Sequence, residues 1–192
     1  MDQTGLTERI EQHIQGVRQL AGQAATIRVV CDLLVETFKA GRRVFLAGNG
    51  GSDSDAQHVA AELLVRLFHN RPALPAVYLS AGTAVGSAIG NDFSFEDVFA
   101  RQLEALMHAG DVLWAFSTSG KSPNIVKAAK VAKDRGGKVV LFTGPSKGPA
   151  CPLADVTLHA QGHRTDLIQE VHGVAYHFIC EQVEAAMLPA AK

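Results

Sequence analysis

The sequence predicts a doubly wound α/β sandwich, in which a five-stranded parallel sheet is covered by helices on both faces. Two observations carry this prediction. Apolar runs alternate with helical stretches from about residue 40 onward, and the runs are continuously apolar rather than alternating. Continuous apolar strands are typical of parallel sheets that are buried on both faces. The predicted strands are residues 43–47, 76–79, 111–116, 138–142 and 155–158.

Length and composition favour a single globular domain. The chain has 192 residues, is 47% hydrophobic, and carries 18 Lys+Arg against 19 Asp+Glu, for a net charge of -1. That length is enough for one well-buried core and short for two. Without a basic block, nothing favours binding to nucleic acid or to an anionic membrane. We expect one domain over residues 1–192, with a helical region at 1–40 and the sandwich at 41–192.

The cysteines and the N-terminus favour a cytoplasmic protein. Cys31, Cys151 and Cys180 are odd in number, scattered, and lack CxxC spacing. This pattern argues against both a disulfide framework and a cysteine zinc cluster. The N-terminal segment is acidic where a secretory leader is basic, and no apolar run reaches membrane-spanning length.

The first forty residues carry an apolar seam with alternating four- and three-residue steps, a spacing typical of helix-on-helix packing. His13 is its one polar member. The seam either covers the domain's own core, in a helix broken near Gly16 or Gly22, or packs against another subunit. Its length ahead of the first strand favours the subunit contact. The other seam residues are Leu6, Ile10, Val17, Leu20, Ala24, Ile27, Cys31, Leu34 and Phe38.

A glycine-rich turn, Gly48-Asn49-Gly50-Gly51-Ser52, follows the first predicted strand and leads into a helix. Glycines let the backbone approach a ligand closely, and Ser52 and the first helical N–H groups offer donors to an anion. One turn further, His58 and Glu62 lie four residues apart on one helical face. They are a candidate metal pair or an ordinary surface pair.

A second polar loop follows the third predicted strand. It reads Ser117-Thr118-Ser119-Gly120-Lys121-Ser122-Pro123, with Ser122 placed to cap a helix and Pro123 at its first position. The loop is either a phosphate site or ordinary turn and cap chemistry. Neither this loop nor the glycine turn has a Walker or GxGxxG pattern, which disfavours a nucleotide.

The last predicted helix, residues 165–181, carries further candidates. Gln169 and His177 lie eight residues apart, about 80° around a helix of 3.6 residues per turn, so they can converge. Gly173 lies between them and leaves room for a ligand or another backbone. Taken singly, such a histidine is more often a packed core residue than a metal ligand.

Taken together, these motifs resemble the phosphoheptose isomerase family of sugar isomerase (SIS) domain proteins. The resemblance runs from about residue 40 to residue 183. The motifs that carry it occur in the family's order: the glycine turn 48–52, Asp55-Ala56-x-His58-x-Ala60-x-Glu62-Leu63, Gly90-Asn91-Asp92-Phe93, Ser117-Thr118-Ser119-Gly120, and Ile168-Gln169-Glu170-x-His172 with His177.

The resemblance implies an SIS-type homotetramer, with N-terminal helices used in oligomer packing. It implies interconversion of D-sedoheptulose 7-phosphate and D-glycero-D-manno-heptose 7-phosphate through an enediol, at the start of bacterial surface-heptose synthesis. It further implies one zinc ion per subunit, with Glu62 removing the proton and His177 acting as the acid. The implied zinc ligands are His58, Glu62, Gln169 and His177. The implied substrate-binding residues are Asn49, Gly50, Gly51, Ser52, Glu62, Arg66, Asn91, Asp92, Ser117, Thr118, Ser119, Ser122, Asp166 and Gln169.

Two departures and two alternatives remain. The family usually has Arg where this chain has Leu167, and often Asn where it has Lys121. One alternative is a non-enzymatic SIS tetramer that binds the bacterial replication initiator; that relative lacks the residues matching Glu62 and His177, so their presence here favours an enzyme. The other is an SIS isomerase or sensor for a different phosphosugar, whose loops would look much the same.

Overall fold

The computed structural model describes residues 3–189. Within these residues, five strands form one all-parallel sheet in the order β2-β1-β3-β4-β5. The predicted five-stranded parallel sheet is therefore confirmed, and each predicted strand boundary lies within one residue of the observed one. The strands are β1 (Val44–Ala47), β2 (Ala76–Tyr78), β3 (Val112–Ser117), β4 (Lys138–Thr143) and β5 (Val156–His159).

Helices cover both faces of this sheet, as the sequence predicts. One face packs against α2, α3 and α7, and the opposite face packs against α5 and α6. The helix α1 packs on α7 rather than directly on the sheet. The helices are α1 (Gln3–Arg18), α2 (Ala24–Lys39), α3 (Gly51–Leu64), α4 (Ala84–Asp92), α5 (Ala100–Leu106), α6 (Pro123–Asp134) and α7 (Thr165–Ala186).

The central strands are buried on both faces because their side chains are apolar at nearly every position. In β3, Trp114 and Phe116 point to the α7 side, while Leu113 and Ala115 point to the α6 side. The Trp114 ring lies 5.6 Å from that of Phe116 and 5.2 Å from that of Phe142, between ring centroids. Such stacked and edge-to-face aromatic contacts add to the area that these side chains bury.

The crossovers of this sheet create a crevice between β1 and β3. The helix that follows β1 packs on one face, and the helix that follows β3 packs on the other. Because these neighbouring strands lead into helices on opposite faces, the loops at their carboxyl ends diverge. Such a point is where open α/β sheets bind ligands. The glycine turn 48–52 and the polar loop 117–122 both lie at this crevice.

The N-terminal seam bends near one of the two predicted breaks. A 3₁₀ helix, Gln19–Gln23, separates α1 from α2 and contains Gly22, where a break was expected. After the bend, Ile27 and Leu34 are buried in the domain's own core. Before it, Leu6 and Ile10 are exposed. The second half of the seam therefore covers this domain, and a role of the seam in subunit contact stays a prediction.

Two further predictions concern the membrane and the thiols. Among residues 3–189, no helix combines the length and the apolar character needed to cross a bilayer. Cys31, Cys151 and Cys180 are all free thiols. Burial raises the pKa of Cys31 to about 11 and also raises that of Cys180, so these two sulfurs stay protonated at neutral pH.

Candidate functional site

Two helices bring together three of the predicted metal ligands. His58 and Glu62 project from α3 and His177 projects from α7, and one potential ligand atom from each lies within 4.8 Å of the other two. His58 Nε2 is 3.0 Å from Glu62 Oε1. The His58 and His177 rings meet edge to face, with 4.8 Å between centroids. The helices α3 and α7, which are far apart in the sequence, are therefore neighbours in space.

The surroundings of His177 leave one of its ring nitrogens available. Its Nδ1 lies 2.7 Å from the carbonyl oxygen of Gly173, one turn earlier in α7. A carbonyl can only accept a hydrogen bond, so Nδ1 carries the proton and donates it. In the neutral ring, the lone pair then resides on Nε2.

The chemistry of this donor set fits a zinc ion. Two imidazoles and one carboxylate are the three protein ligands found in many catalytic zinc sites, which keep a further position open for water or substrate. A backbone carbonyl that accepts the second N–H of a ligating histidine, as Gly173 does here, is the usual support for such a ligand. The three residues can therefore hold a divalent metal.

The fourth predicted ligand, Gln169 of α7, lies against the start of α3. Its Nε2 is 3.5 Å from Ser52 Oγ. A Cβ added to Gly51 would lie 2.5 Å from that nitrogen, so the absence of a side chain at Gly51 makes room for the Gln169 amide. Gln169 thus joins α7 to the glycine turn, and its role as a metal ligand stays a prediction.

The glycine turn depends on its glycines at two more positions. Gly50 has φ = 57°, a conformation that L-residues rarely adopt. A Cβ on Gly48 would lie 2.1 Å from the carbonyl oxygen of Ser52. The N–H groups of Ser52 and Asp53 bond to the carbonyls of Asn49 and Gly50. These two N–H groups are already engaged, which leaves the buried Ser52 hydroxyl as the turn's clearest side-chain donor.

The second loop has hydroxyls that capping does not use. Ser122 stands at the N-cap of α6 and Pro123 at its first position, as predicted, yet the Ser122 side chain makes no capping hydrogen bond. Its Oγ lies 3.1 Å from Ser117 Oγ instead. Ordinary cap chemistry therefore does not explain these hydroxyls, and the phosphate interpretation gains support.

The loop after β4 holds this polar loop in place. The Gly144 N–H donates to the Thr118 carbonyl, and the Ala150 N–H donates to the Gly120 carbonyl. The Ser146 hydroxyl donates to the Ser119 carbonyl. Because the loop after β4 binds these backbone carbonyls, the polar loop holds its hydroxyl groups in fixed positions.

A pair of asparagines joins the two loops across the crevice. The side-chain amides of Asn49 and Asn124 donate to each other's oxygens, at 2.9 and 2.8 Å. Asn124 is buried, and its Oδ1 also accepts from the Ile125 N–H. Asn49, which the resemblance assigns to substrate binding, is therefore engaged by a partner that the sequence interpretation missed. The one signal for Asn124 was its place directly after Ser122-Pro123.

The remaining predicted substrate residues lie in other surroundings. Asp166 accepts hydrogen bonds from Arg9 of α1 and from Arg164. The Arg164 and Arg9 guanidinium groups hold the pKa of that carboxyl well below its usual range. Arg66 is exposed and donates to Asn70. Asn91 and Asp92 are exposed and bond to each other. For Arg66, Asn91 and Asp92, a role in substrate binding stays a prediction.

The two departures from the family pattern have different surroundings. Leu167 is buried in the first turn of α7, where its apolar side chain belongs to the core. Lys121 is exposed, and its backbone N–H donates to Ser119 Oγ. The nearby Arg164 is paired with Asp166.

A buried ion pair fixes the end of α3 and the segment that follows it. The Glu184 carboxylate of α7 accepts from the backbone N–H groups of Leu67, Phe68 and His69. It also lies 3.5 Å from Arg71 Nε, and both side chains are 1% exposed. Burial acts to raise the pKa of Glu184, but these N–H groups and Arg71 outweigh it and lower the pKa.

Arg71 extends this arrangement to the candidate ligands. Its guanidinium donates to the carbonyls of Glu62 and Leu63 in the last turn of α3. A cation at a helix C-terminus can donate hydrogen bonds to the free carbonyls, and it interacts favourably with the helix dipole. The backbone that carries Glu62 is thereby anchored to α7. The sequence alone did not predict this ion pair, because its pattern at Glu184 is that of an exposed helical glutamate.

Comparison with known proteins gives a consistent result. The family profile of the SIS domain matches residues 9–144. A phosphoheptose isomerase of Synechocystis sp. is 42% identical over 184 residues, 95% of each chain. One of Burkholderia pseudomallei is 47% identical over 160 residues, 83% of this chain and 81% of that protein.

Solved structures agree with these relatives. A phosphoheptose isomerase from Francisella tularensis superposes with a TM-score of 0.92 at 31% identity, covering 96% of this chain and 99% of that one. One from Neisseria gonorrhoeae gives 0.88 at 33% identity, covering 96% and 100%. The predicted SIS-type fold is confirmed. The chain belongs to the SIS domain family and, within it, to the phosphoheptose isomerases.

Proposed function

We propose that this chain is an aldose–ketose isomerase that interconverts D-sedoheptulose 7-phosphate and D-glycero-D-manno-heptose 7-phosphate in heptose biosynthesis. The observation that carries the proposal is the convergence of His58, Glu62 and His177 between α3 and α7 in a member of this family. The chain works as one SIS domain in the cytoplasm, a location that its free thiols support.

The reaction moves a proton between two adjacent carbons of the open-chain sugar. It requires a base at carbon, an acid at the carbonyl oxygen, and stabilisation of the negative charge of the enediolate. Glu62 removes the proton as a carboxylate. His177 acts as the acid from Nε2, since Nδ1 already donates to the Gly173 carbonyl; it does so as an imidazolium, at the stage of the reaction in which Nε2 is not a metal ligand.

We further propose one zinc ion per subunit, held by His58, Glu62 and His177 with Gln169 as fourth ligand. When bound, the ion polarises the sugar oxygens and stabilises the developing charge. A carboxylate bound to a metal is a weaker base, so Glu62 alternates between the two roles. Its hydrogen bond with His58 gives the carboxylate a partner when it is not a ligand.

The crevice between β1 and β3 binds the phosphate and the sugar. Ser52 reaches it from one loop, and Ser117 and Ser122 reach it from the other with hydroxyls that capping leaves unused. Hydroxyl donors at a helix start are well suited to a phosphate. We assign phosphate binding to Ser52, Ser117, Thr118, Ser119 and Ser122, and sugar binding to Asn49, Gly50, Gly51, Arg66, Asn91, Asp92, Asp166 and Gln169.

We propose that four copies assemble. An apolar groove of about 670 Å³ lies between the N-terminal helices and α7, lined among others by Leu20, Ile27, Val174 and Phe178. Phe178 is 49% exposed and Val174 is 46% exposed. Apolar patches of this kind mark contacts between proteins. A neighbouring subunit also explains why Arg66 and Asp92 are assigned to the sugar although both are exposed in one chain.

Changing Phe178 to Asp is expected to give assemblies smaller than the tetramer, because a charge placed in an apolar contact loses its solvation. Light scattering measures the mass against the 20.4 kDa chain. Leu106→Asp on α5 is the matched control, since Leu106 is exposed on the opposite side of the sheet. A Phe178→Asp protein with unchanged tetramer mass would refute this role for the groove.

A substrate comparison separates the proposal from its two alternatives. Purified protein is offered sedoheptulose 7-phosphate and, in parallel, ketose phosphates of five and six carbons, and the aldose product is measured. We expect the seven-carbon substrate to be preferred. Preference for a shorter sugar would identify a different phosphosugar isomerase, and inactivity on every sugar would favour a non-enzymatic binding protein.

A further inference from the structure

Tyr176 lies beside the candidate metal cluster without belonging to it. It precedes His177 in α7 and is buried between α7 and α3. Its hydroxyl oxygen is 3.4 Å from His58 Nδ1, and the two rings meet edge to face at 5.7 Å. The other nitrogen of His58, Nε2, is the one that lies 3.0 Å from Glu62.

Asp55 is a second polar neighbour of the Tyr176 phenol. It is located three residues before His58 on α3, and its carboxyl is near the Tyr176 hydroxyl: burial and this carboxyl raise the pKa of the phenol to about 12. Asp55 Oδ2 is buried and has no hydrogen-bond partner among residues 3–189. The Tyr176 hydroxyl therefore lies between the carboxyl group of Asp55 and the Nδ1 atom of His58.

Donor and acceptor counts leave two arrangements of these contacts. A phenol has one hydrogen to donate and can accept another. If it donates to Asp55, its oxygen accepts from His58 Nδ1–H, and the lone pair of His58 resides on Nε2, next to Glu62. The reverse arrangement, in which His58 Nε2–H donates to Glu62 Oε1 at 3.0 Å and the Tyr176 hydroxyl donates to Nδ1, satisfies the contacts of the metal-free chain but blocks ligation through Nε2. Metal binding through Nε2 therefore requires the first arrangement.

We propose that Tyr176, backed by Asp55, is a positioning residue that holds His58 in the tautomer and orientation that a metal requires. This inference rests on the proposed metal site. Ligating histidines commonly donate their second N–H to a carboxylate or a carbonyl, and the loss of that acceptor weakens metal binding. His177 uses the Gly173 carbonyl. For His58, the phenol and Asp55 supply the equivalent support.

The test is zinc affinity, measured by competition with a chromophoric chelator. Tyr176→Phe removes only the hydroxyl and is expected to weaken zinc binding by about 10–100-fold. Asp55→Asn is expected to weaken it as well, and the double variant to fall short of the summed effects, because both changes break one chain of contacts. The cobalt-substituted protein should show an altered absorption spectrum in both variants.

The chain offers a matched control in its other tyrosine. Tyr78 donates its hydroxyl to Asp53 Oδ2 at 2.6 Å, also at the start of α3. Tyr78→Phe therefore removes a phenol hydroxyl that contacts the same helix, α3, without touching His58, and zinc affinity should not change.

The outcomes separate this inference from the metal site itself. Wild-type protein that binds no zinc overturns both. Wild-type affinity in Tyr176→Phe, or an equal loss in Tyr78→Phe, overturns the positioning role while leaving the metal site standing. If Tyr176→Phe does not fold, Asp55→Asn decides the matter by the same two readouts.

Discussion

Replacing Glu62 with Gln is expected to lower turnover of sedoheptulose 7-phosphate by about 10²–10⁴-fold, the usual contribution of a general base. The amide matches the carboxylate in shape but cannot accept a proton from carbon. It can still lie next to His58, so the fold and the assembly should be unchanged. The assay follows formation of the aldose, with circular dichroism and light scattering on the same samples.

Glu104→Gln is the control for this variant, because Glu104 is an exposed glutamate of α5 on the opposite side of the sheet. It should retain wild-type activity. A Glu62→Gln protein with wild-type turnover would show that another group removes the proton.

Glu184→Ala is expected to destabilise the protein by about 3–5 kcal/mol, the usual cost of removing one partner of a buried ion pair. The change leaves Arg71 without its carboxylate and strips an acceptor from the N–H groups of Leu67, Phe68 and His69. Since Arg71 also holds the end of α3, activity should fall as well.

Urea unfolding at one fixed protein concentration measures this loss, because the stability of an assembly depends on concentration. Glu181→Ala is the control; this exposed glutamate on the same helix should change the free energy of unfolding by no more than about 0.5 kcal/mol.

The pKa of Glu184 is lowered by folding, so its contribution to stability is present above the unfolded pKa and is lost as the pH falls through the folded value. The gap between wild type and Glu184→Ala should therefore narrow in acid. A Glu184→Ala protein as stable as Glu181→Ala would contradict this account of the ion pair.

Much of the fold was predictable because the relevant signals are local. Runs such as Val44–Ala47 and Val112–Ser117 are apolar at nearly every position, which is a property of the chain itself. The spacing of His58 and Glu62 likewise fixes their common helical face. The helix start at Ser122-Pro123 follows from the capping preferences of those residues.

What sequence could not supply are the contacts between distant segments. The Asn49–Asn124 pair and the contact between Tyr176 and His58 join residues 75 and 118 positions apart. Their geometry depends on how β1, β3, α3 and α7 pack, which no local pattern encodes. The Glu184 carboxylate was missed for the same reason, since helical periodicity does not reveal a partner in the segment after α3.

Turnover of sedoheptulose 7-phosphate by protein stripped of metal and then restored with zinc tests the proposed role of the metal site directly. We expect about one zinc per subunit in the active protein, loss of turnover on chelation, and recovery at about one equivalent of added zinc. Full turnover by metal-free protein would contradict the claim that the His58, Glu62 and His177 cluster acts as a metal site in the reaction.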